Sequence, residues 1–286
     1  MPRVVERIKS LGELLGELRR PGGILGLAPT MGALHDGHLR LMEEARRGSD
    51  ILAVSIFVNP IQFNQRDDFE RYPRDLERDR ALCGQAGVDI IFAPPREEMY
   101  PRPMKTFVDV EGLTEHLCGR FRPGHFRGVA TVVAKLFQIV RPDRAWFGEK
   151  DAQQLAVIRR MVRDLNFPVE ILEVPTVREP DGLALSSRNR HLSPHERSVA
   201  PALYRALRAG AALVERGSVD AADVLNRVRG EFQPYPEMRI EYAEVVHPDE
   251  MQPVGKITGP VRIAAAVWLG STRLIDNVLC RPGAAA

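Results

Sequence analysis

Cysteine is scarce in this chain. Cys83, Cys118 and Cys280 are its only three in 286 residues; they are odd in number, far apart and without a CxxC pair, which excludes a disulfide framework and points to a reducing cytoplasm. Long apolar runs are lacking as well. Ile51–Val58 and Ile263–Leu269 fall far short of the roughly 20 residues a membrane helix needs, and the N-terminus has no signal-peptide core, so no membrane is expected as a partner. Nor does one sign of charge dominate: a net charge of +2 and an isoelectric point near 8.5 leave no electrostatic footprint for nucleic acid. Lysine is confined to positions 9, 105, 135, 150 and 256, so 35 of the 40 basic residues are arginine, a skew that fits a GC-rich genome or a hot habitat. What the chain has in quantity is core, with 44% hydrophobic residues over a length comfortable for two domains.

Up to about Val174, apolar segments alternate with segments of helical period. The pattern predicts strands at 23–28, 51–58, 88–93, 144–148 and 169–174, and helices at 37–48, 75–86, 128–140 and 151–165. This βαβ rhythm implies an α/β fold, a Rossmann-like doubly wound parallel sheet with right-handed crossovers, whose ligands collect at the carboxyl ends of the strands. After Val174 the texture changes. A turn-rich stretch from Pro175 to Leu192 is expected to move, Ser193-Pro194-His195-Glu196 caps a helix running to about Arg216, 220–232 reads as another helix, and 239–247, 261–269 and 272–279 read as antiparallel strands. The expected division is a Rossmann-like domain, 1–177, and a smaller α+β domain, 178–286, ending in a Gly-Ala-Ala-Ala tail expected to be disordered.

The most informative stretch is Pro29-Thr30-Met31-Gly32-Ala33-Leu34-His35-Asp36-Gly37-His38. It sets a glycine-bearing turn and two histidines, three residues apart, between a buried-strand pattern and a helix. Backbone N–H groups at a helix start lack intrahelical acceptors and the macrodipole adds about half a positive charge there, so a phosphate is a natural guest. Both imidazoles would face it. A donating imidazole can steady the extra negative charge on a pentacoordinate phosphorus without gripping substrate and product as tightly as lysine would. The same residues could form a plain structural turn. Zinc is a third reading, weakened because zinc helices favour histidines at i,i+4 with a further ligand.

Other segments carry similar alternatives. Phe147-Gly148-Glu149-Lys150-Asp151 closes a strand and opens a helix, with Lys150 placed for ATP phosphates and Asp151 for a ribose or Mg²⁺, or with both only capping a helix. Leu185-Ser186-Ser187-Arg188-Asn189 offers two hydroxyls and a guanidinium to triphosphate oxygens, where a polar linker would look the same. Asn59-Pro60-Ile61-Gln62-Phe63 and the pair Gln153-Gln154 provide neutral amides suited to a small polar acid, although exposed glutamines are common. Arg122-Pro123-Gly124-His125-Phe126-Arg127-Gly128 is an anion contact or a tight turn. Asp75 and Asp79 share a helix face, with Asp79 the candidate protein ligand for Mg²⁺.

Taken together, PTMGALHDGH, FVNPIQF, YPRD, FRPGHFRGV, FGEKDAQQL and DGLALSSRN, in order over most of residues 24–193, resemble the pantothenate synthetase, or pantoate–β-alanine ligase, family. The paired-histidine motif alone would indicate only the wider adenylyl- and cytidylyltransferase superfamily; the motifs at 59–63 and 148–154 narrow it. The resemblance implies an AMP-forming ligase of coenzyme A biosynthesis, with ATP and Mg²⁺ as cofactors and a homodimer built through the first domain. ATP and (R)-pantoate would give pantoyl adenylate and pyrophosphate, and β-alanine would then attack the acyl carbon to give pantothenate and AMP. By the same resemblance, Met31, Gly32, Ala33, Leu34, His35, Asp36, Gly37 and His38 form the first ATP wall. Gly148, Glu149, Lys150, Asp151, Val177, Leu185, Ser186, Ser187 and Arg188 complete the nucleotide site. His38 is then the catalytic histidine, assisted by His35, Lys150, Ser187 and Arg188, while Asn59, Gln62 and Gln154 take pantoate and β-alanine and the second domain serves as a lid. After Tyr72-Pro73-Arg74 the family can show a pair of acidic residues where this chain has Arg78-Asp79.

Two rivals make different demands. A nucleotidyltransferase that stops at the nucleotide conjugate would carry the same histidine loop and ignore β-alanine. An ATP-sensing module without turnover would need neither the histidines nor an amide pocket sized for an acid.

Overall fold

An unbroken apolar run such as Ile51-Leu52-Ala53-Val54 can be a strand only where both of its faces are covered. In the computed structural model, which describes residues 1–64 and 69–283, that run lies inside a six-stranded parallel sheet. Its strands are β1 (Arg3–Val5), β2 (Leu25–Thr30), β3 (Ile51–Ile56), β4 (Ile90–Phe92), β5 (Arg144–Gly148) and β6 (Glu170–Val174), in the order β1-β4-β3-β2-β5-β6. Helices along this part of the chain are α1 (Ile8–Leu18), α2 (Asp36–Arg47), α3 (Leu76–Gln85), α4 (Arg96–Met99), α5 (Leu117–Phe121), α6 (His125–Val140) and α7 (Ala152–Asp164). Then come α8 (Pro194–Val199), α9 (Ala202–Glu215), α10 (Ala221–Gly230) and the antiparallel sheet β7 (Met238–Val246), β8 (Val261–Leu269) and β9 (Thr272–Cys280). The α/β expectation therefore holds, with a smaller antiparallel sheet following it.

The sheet positions the site through its order. From β2 the chain adds β3 and then β4 on one side, and returns to place β5 and β6 on the other. The switch point lies between β2 and β5, where loops leaving neighbouring strands diverge and open a crevice. The chain leaves β2 at Thr30 and β5 at Gly148.

Some expectations shift. β2 begins and ends two residues later than the 23–28 reading and includes Pro29, a residue that cannot donate to a ladder. It is tolerated because the β5 ladder covers only Gly26 and Leu27 of β2. The single helix expected to Arg216 is two helices, α8 and α9, separated at Pro201, whose ring and missing N–H interrupt a helix interior. β1, α1, α4 and α5 lie outside the expected set. Part of the 59–72 loop and the three alanines that end the tail lie outside the described residues.

By internal contacts the chain forms two units that interleave along the sequence. One comprises Met1–Val110, Arg122–Glu149 and Val157–Pro175; the other comprises Glu111–Phe121, Lys150–Ala156 and Thr176–Ala286. Each has its own core. In the first, Leu34, Leu41, Met42, Leu52, Val54, Cys83 and Trp146 pack together; in the second, Leu203, Leu207, Val214, Val224, Ile263 and Val267 do. Side chains from β9 and from the turn after β7 bind the 111–121 segment into the second unit: Arg273 donates to Cys118 Sγ at 3.3 and 3.4 Å, and Gln252 donates to the Gly112 carbonyl at 2.8 Å. Among the described residues no helix is long and apolar enough to cross a membrane, and all three cysteines are buried.

Candidate active site

The turn from β2 into α2 is built tightly. Thr30 donates its hydroxyl to the Ser55 carbonyl at 2.7 Å, and Gly32 N–H donates to the same hydroxyl oxygen at 3.2 Å. Gly32 and Ala33 follow in left-handed conformation, with φ of +81° and +52°. For alanine this conformation costs about 1–2 kcal/mol. The next two backbone donors, Ala33 N–H at 2.9 Å and Leu34 N–H at 2.8 Å, go to the two carboxylate oxygens of Asp79 on α3.

His35 then caps α2. Its Nδ1 accepts from Gly37 N–H at 3.2 Å, while Nδ1 of His38 accepts from His35 N–H at 3.3 Å, a reciprocal capping box with imidazoles in both roles. A ring nitrogen that accepts from an amide carries no proton, so in the neutral ring the proton sits on Nε2. The two rings, 4.1 Å apart between centroids, thus form a matched pair of Nε2–H donors. This narrows the phosphate reading of the loop. Ala33 and Leu34 are buried and their amides engaged by Asp79, so of the eight residues expected to wall the nucleotide it is Met31, His35, Asp36, Gly37 and His38 that keep partial or full exposure.

A second cluster in the same unit surrounds Gln62, on a single 3₁₀ turn at Pro60–Gln62. Asn59 is 1% exposed; its amide donates to Gln62 Oε1 at 3.0 Å and to the Gly128 carbonyl at 3.1 Å, and its oxygen accepts from Tyr100 OH at 2.7 Å. Asn59, expected to touch a small acid, also holds Gln62 through these bonds. Gln62 Nε2 also lies 3.0 Å from Met31 Sδ. His125 Nδ1 donates to the Gln62 carbonyl at 2.8 Å, a tautomer consistent with Arg122 donating to its Nε2 at 3.3 Å. The 122–128 run is thereby a short turn leading into the first turn of α6, and it supports Gln62. Gly128 makes the approach possible, since a Cβ there would lie 2.5 Å from the Ile61 carbonyl oxygen and 2.7 Å from Gln62 Cα. Gly128→Ala should therefore cost stability despite alanine's advantage of about 1 kcal/mol in a helix. It should also raise the KM of any small acid held by Gln62 by about tenfold through displacement of the Gln62 turn. Steady-state kinetics with a thermal melt would check this, and an unchanged KM would refute it.

In the second unit, Lys150 and Asp151 stand on a 3₁₀ turn, with Lys150 Nζ 4.0 Å from Asp151 Oδ1. The Lys150 carbonyl accepts from Asn277 Nδ2 on β9 at 3.0 Å. Its neighbour Asp276, 3% exposed, takes a forked pair of hydrogen bonds from Arg178 at 2.6 and 3.0 Å. Arg178 stacks on the Tyr204 ring 3.8 Å from its centroid and also donates to the Gly182 carbonyl. Burial pushes the Asp276 carboxyl above the ordinary aspartate value, against the pull of Arg178. Spacing did not reveal Arg178, Asp276 or Asn277. The available signal was an Asp-Asn pair in the middle of an otherwise strand-like segment, where both residue types are disfavoured.

The turn-rich stretch after Pro175 includes a hydrogen-bonded hairpin. Leu185 N–H donates to the Val177 carbonyl at 3.0 Å, Glu179 N–H to the Leu183 carbonyl at 2.8 Å, and Gly182 makes the turn at φ +94°. Ser186 then caps the 3₁₀ turn Ser187–His191 by accepting from Arg188 N–H. Ser187 is buried, while Val177, Leu185, Ser186 and Arg188 are half-buried. Gln153 and Gln154 separate in role: Gln153 is buried and donates to the Leu113 and His116 carbonyls at 2.8 Å each, leaving Gln154 the more exposed amide. Gly148 and Glu149 are half-buried and Asp151 is exposed.

The residues fit Mg²⁺ only as an ion carried largely by phosphates. Among the described residues no group of three or more His, Cys, Asp or Glu side chains is gathered to hold a metal, and Asp79 points both oxygens at backbone amides. The side chain of Asp151, 48% exposed, is the carboxylate available to such an ion.

The chain is similar to known proteins along nearly its whole length. The sequence profile of a family described as Pantoate-beta-alanine ligase matches residues 3–279. A pantothenate synthetase of Moorella thermoacetica is 55% identical over 276 residues, covering 96% of this chain and 98% of that one. A crystal structure of pantothenate synthetase from Thermus thermophilus superposes with a TM-score of 0.91 at 52% identity, covering 96% and 98% of the two chains. The pantoate–β-alanine ligase of Francisella tularensis, crystallised with β,γ-ATP and β-alanine, matches at 33% identity and TM-score 0.81 over 98% of both chains.

Proposed function

The chain belongs to the pantoate–β-alanine ligase family, and from that premise we propose how its residues divide the labour of the reaction. It condenses pantoate with β-alanine in an ATP-dependent ligation. A carboxylate oxygen is a poor leaving group, so the amide needs prior activation: pantoate attacks the α-phosphorus of ATP, pyrophosphate leaves, and the β-alanine amine then displaces AMP from the acyl carbon. No covalent bond to the protein is required, and positioning with electrostatics carries both steps.

The observation that carries the residue assignment is the imidazole pair, whose Nδ1 atoms accept from backbone amides and whose protons therefore sit on Nε2. His38, assisted by His35, donates to the phosphate oxygens on which charge develops. Lys150 supplies a point charge to the phosphates. Ser186, Ser187 and Arg188 complete the triphosphate contacts, with Gly148, Glu149, Asp151, Val177 and Leu185 lining the nucleotide. Gln62 and Gln154 grip pantoate, Gln62 also lies near β-alanine, and Asn59 supports Gln62. Asp151 would hold a Mg²⁺ ion carried with ATP, which would supply neutralisation of phosphate charge. An ATP- and pantoate-binding domain at 1–177 and a lid at 178–286, a homodimer and a cytoplasmic location belong to the same proposal. The change of sequence texture after Val174 supports the division, the family resemblance supports the homodimer, and the scarce, unpaired cysteines support the location.

The test is pantoate-dependent exchange of labelled pyrophosphate into ATP with Mg²⁺ present, followed by addition of β-alanine and quantification of AMP and pantothenate. Exchange that requires pantoate, then amide formation, is the expected result. Exchange without amide formation would turn the reading to a nucleotidyltransferase, and ATP binding without exchange to a sensor.

A further inference from the structure

Backbone N–H groups that converge on one point attract an anion. Gly32 and Ala33 both have positive φ, and the N–H groups of Ala33 and Leu34 converge on a side-chain carboxylate, that of Asp79. Asp79 is 2% exposed, and it reaches the turn from α3, more than forty residues along the chain. The fit is close on every side: a Cβ on Gly32 would lie 2.9 Å from the same carboxylate oxygen that accepts from Ala33. The turn thus answers its own anion-binding geometry from within. Leu34, the second donor, immediately precedes the capping pair His35 and His38.

We propose that Asp79 is the positioning residue of the histidine loop, holding the strained Gly32–Leu34 turn so that His35 and His38 present their Nε2–H groups to the substrate. It rests on the activity and the histidine roles given above. Charge-assisted bonds to two amides are about twice as strong as neutral ones, and they sustain a backbone conformation that Ala33 would otherwise leave. Without the carboxylate the turn relaxes, and the capping box that fixes both imidazole tautomers moves with it. The two amides are withdrawn from the nucleotide, whose charge falls to the imidazoles and to Lys150.

Asp79→Asn keeps the shape, but while its amide oxygen can accept from one of the two backbone N–H groups, its NH2 group sets a donor against the other. In the full-length protein it should lower the pyrophosphate-exchange kcat by about 10–100-fold. Raising Mg²⁺ tenfold should restore none of this loss. His38→Ala should then cost about tenfold or less when added to Asp79→Asn, against about 10²–10⁴-fold in the parent. That coupling separates positioning from a purely structural role, because a merely destabilised enzyme keeps the full His38 effect in its folded fraction. Gly32→Ala displaces the same carboxylate from the other side and serves where Asp79→Asn folds poorly; it should give the same loss, with the double variant no worse than either single one. A normal kcat, rescue by Mg²⁺, or an undiminished His38 effect in both backgrounds would each overturn the proposal. Absence of exchange in the parent protein would instead overturn the functional reading.

Discussion

Replacing His38 with alanine is expected to slow pantoate-dependent pyrophosphate exchange by about 10²–10⁴-fold, the scale of losing a positioned proton donor or electrostatic stabiliser. In barrier height this is about 3–5 kcal/mol. The expectation follows from the ring's fixed tautomer: with Nδ1 accepting from His35 N–H at 3.3 Å, Nε2–H is the atom offered to developing phosphate charge. Stability should fall much less, by about 1 kcal/mol, because the lost contact is one half of a capping box. His38→Gln sharpens the chemistry. A glutamine amide can donate a hydrogen bond but cannot transfer a proton at neutral pH, so recovery to within about tenfold of the parent would assign His38 a hydrogen-bonding role. A variant as slow as alanine would assign it proton transfer. Near-normal exchange in His38→Ala would remove His38 from the mechanism.

Asp276→Asn should have the largest effect on stability. The carboxylate is 3% exposed and receives both prongs of the Arg178 guanidinium. Breaking a buried pair from one side leaves the other charge uncompensated, at about 3–5 kcal/mol, and the melting temperature should drop by the order of 10 °C. Replacing both partners with apolar residues of similar volume should be milder, because no orphaned charge remains. The pair is costly to break without being a strong source of stability in itself. Burial holds the Asp276 carboxyl above its ordinary value in the fold, so the folded chain keeps that proton to higher pH than the unfolded one. Its contribution to stability therefore declines as pH rises from the ordinary carboxylate range through the raised pKa, and is flat beyond it. Denaturant titrations of the single and double variants would check this; a loss below about 1 kcal/mol in Asp276→Asn would contradict it.

The parts of the fold that were legible in the sequence are those whose burial follows one period. β3 reads as a strand because it is apolar along its length, and α2 as a helix because Met42 and Ala45 fall on one face with Arg40, Glu43 and Arg47 largely on the other. β1 escaped because three residues carry no period, and α5 because its five residues owe their place to partners more than a hundred positions away, Tyr242 and Arg273 among them. The proposed roles of the histidine loop, Lys150, Gln62 and the Ser-Ser-Arg segment could be read from sequence because each closes a local strand-to-helix or turn pattern. Asp79 was singled out on its helix, but its attachment to Ala33 and Leu34 was not legible, since a carboxylate in a helix looks the same whether it faces a metal, water or a backbone amide. The same holds for Asn59, whose neighbours Tyr100 and Gly128 are fixed by tertiary packing.

The interleaving of the two units sets an order of events during synthesis. Residues 111–121 and 150–156 leave the ribosome long before the partners they pack with, which begin at Thr176. At roughly 5–20 residues per second, the 111 residues after Pro175 take about 6–20 s to emerge. During that interval the parallel sheet can assemble while the turn bearing Lys150 waits for β9 to deliver Asn277 to its carbonyl. A chain released before residue 277 would therefore keep the histidine loop and lack the brace beneath Lys150, so a stop codon just before position 277 should disable the enzyme while sparing most of the secondary structure before it.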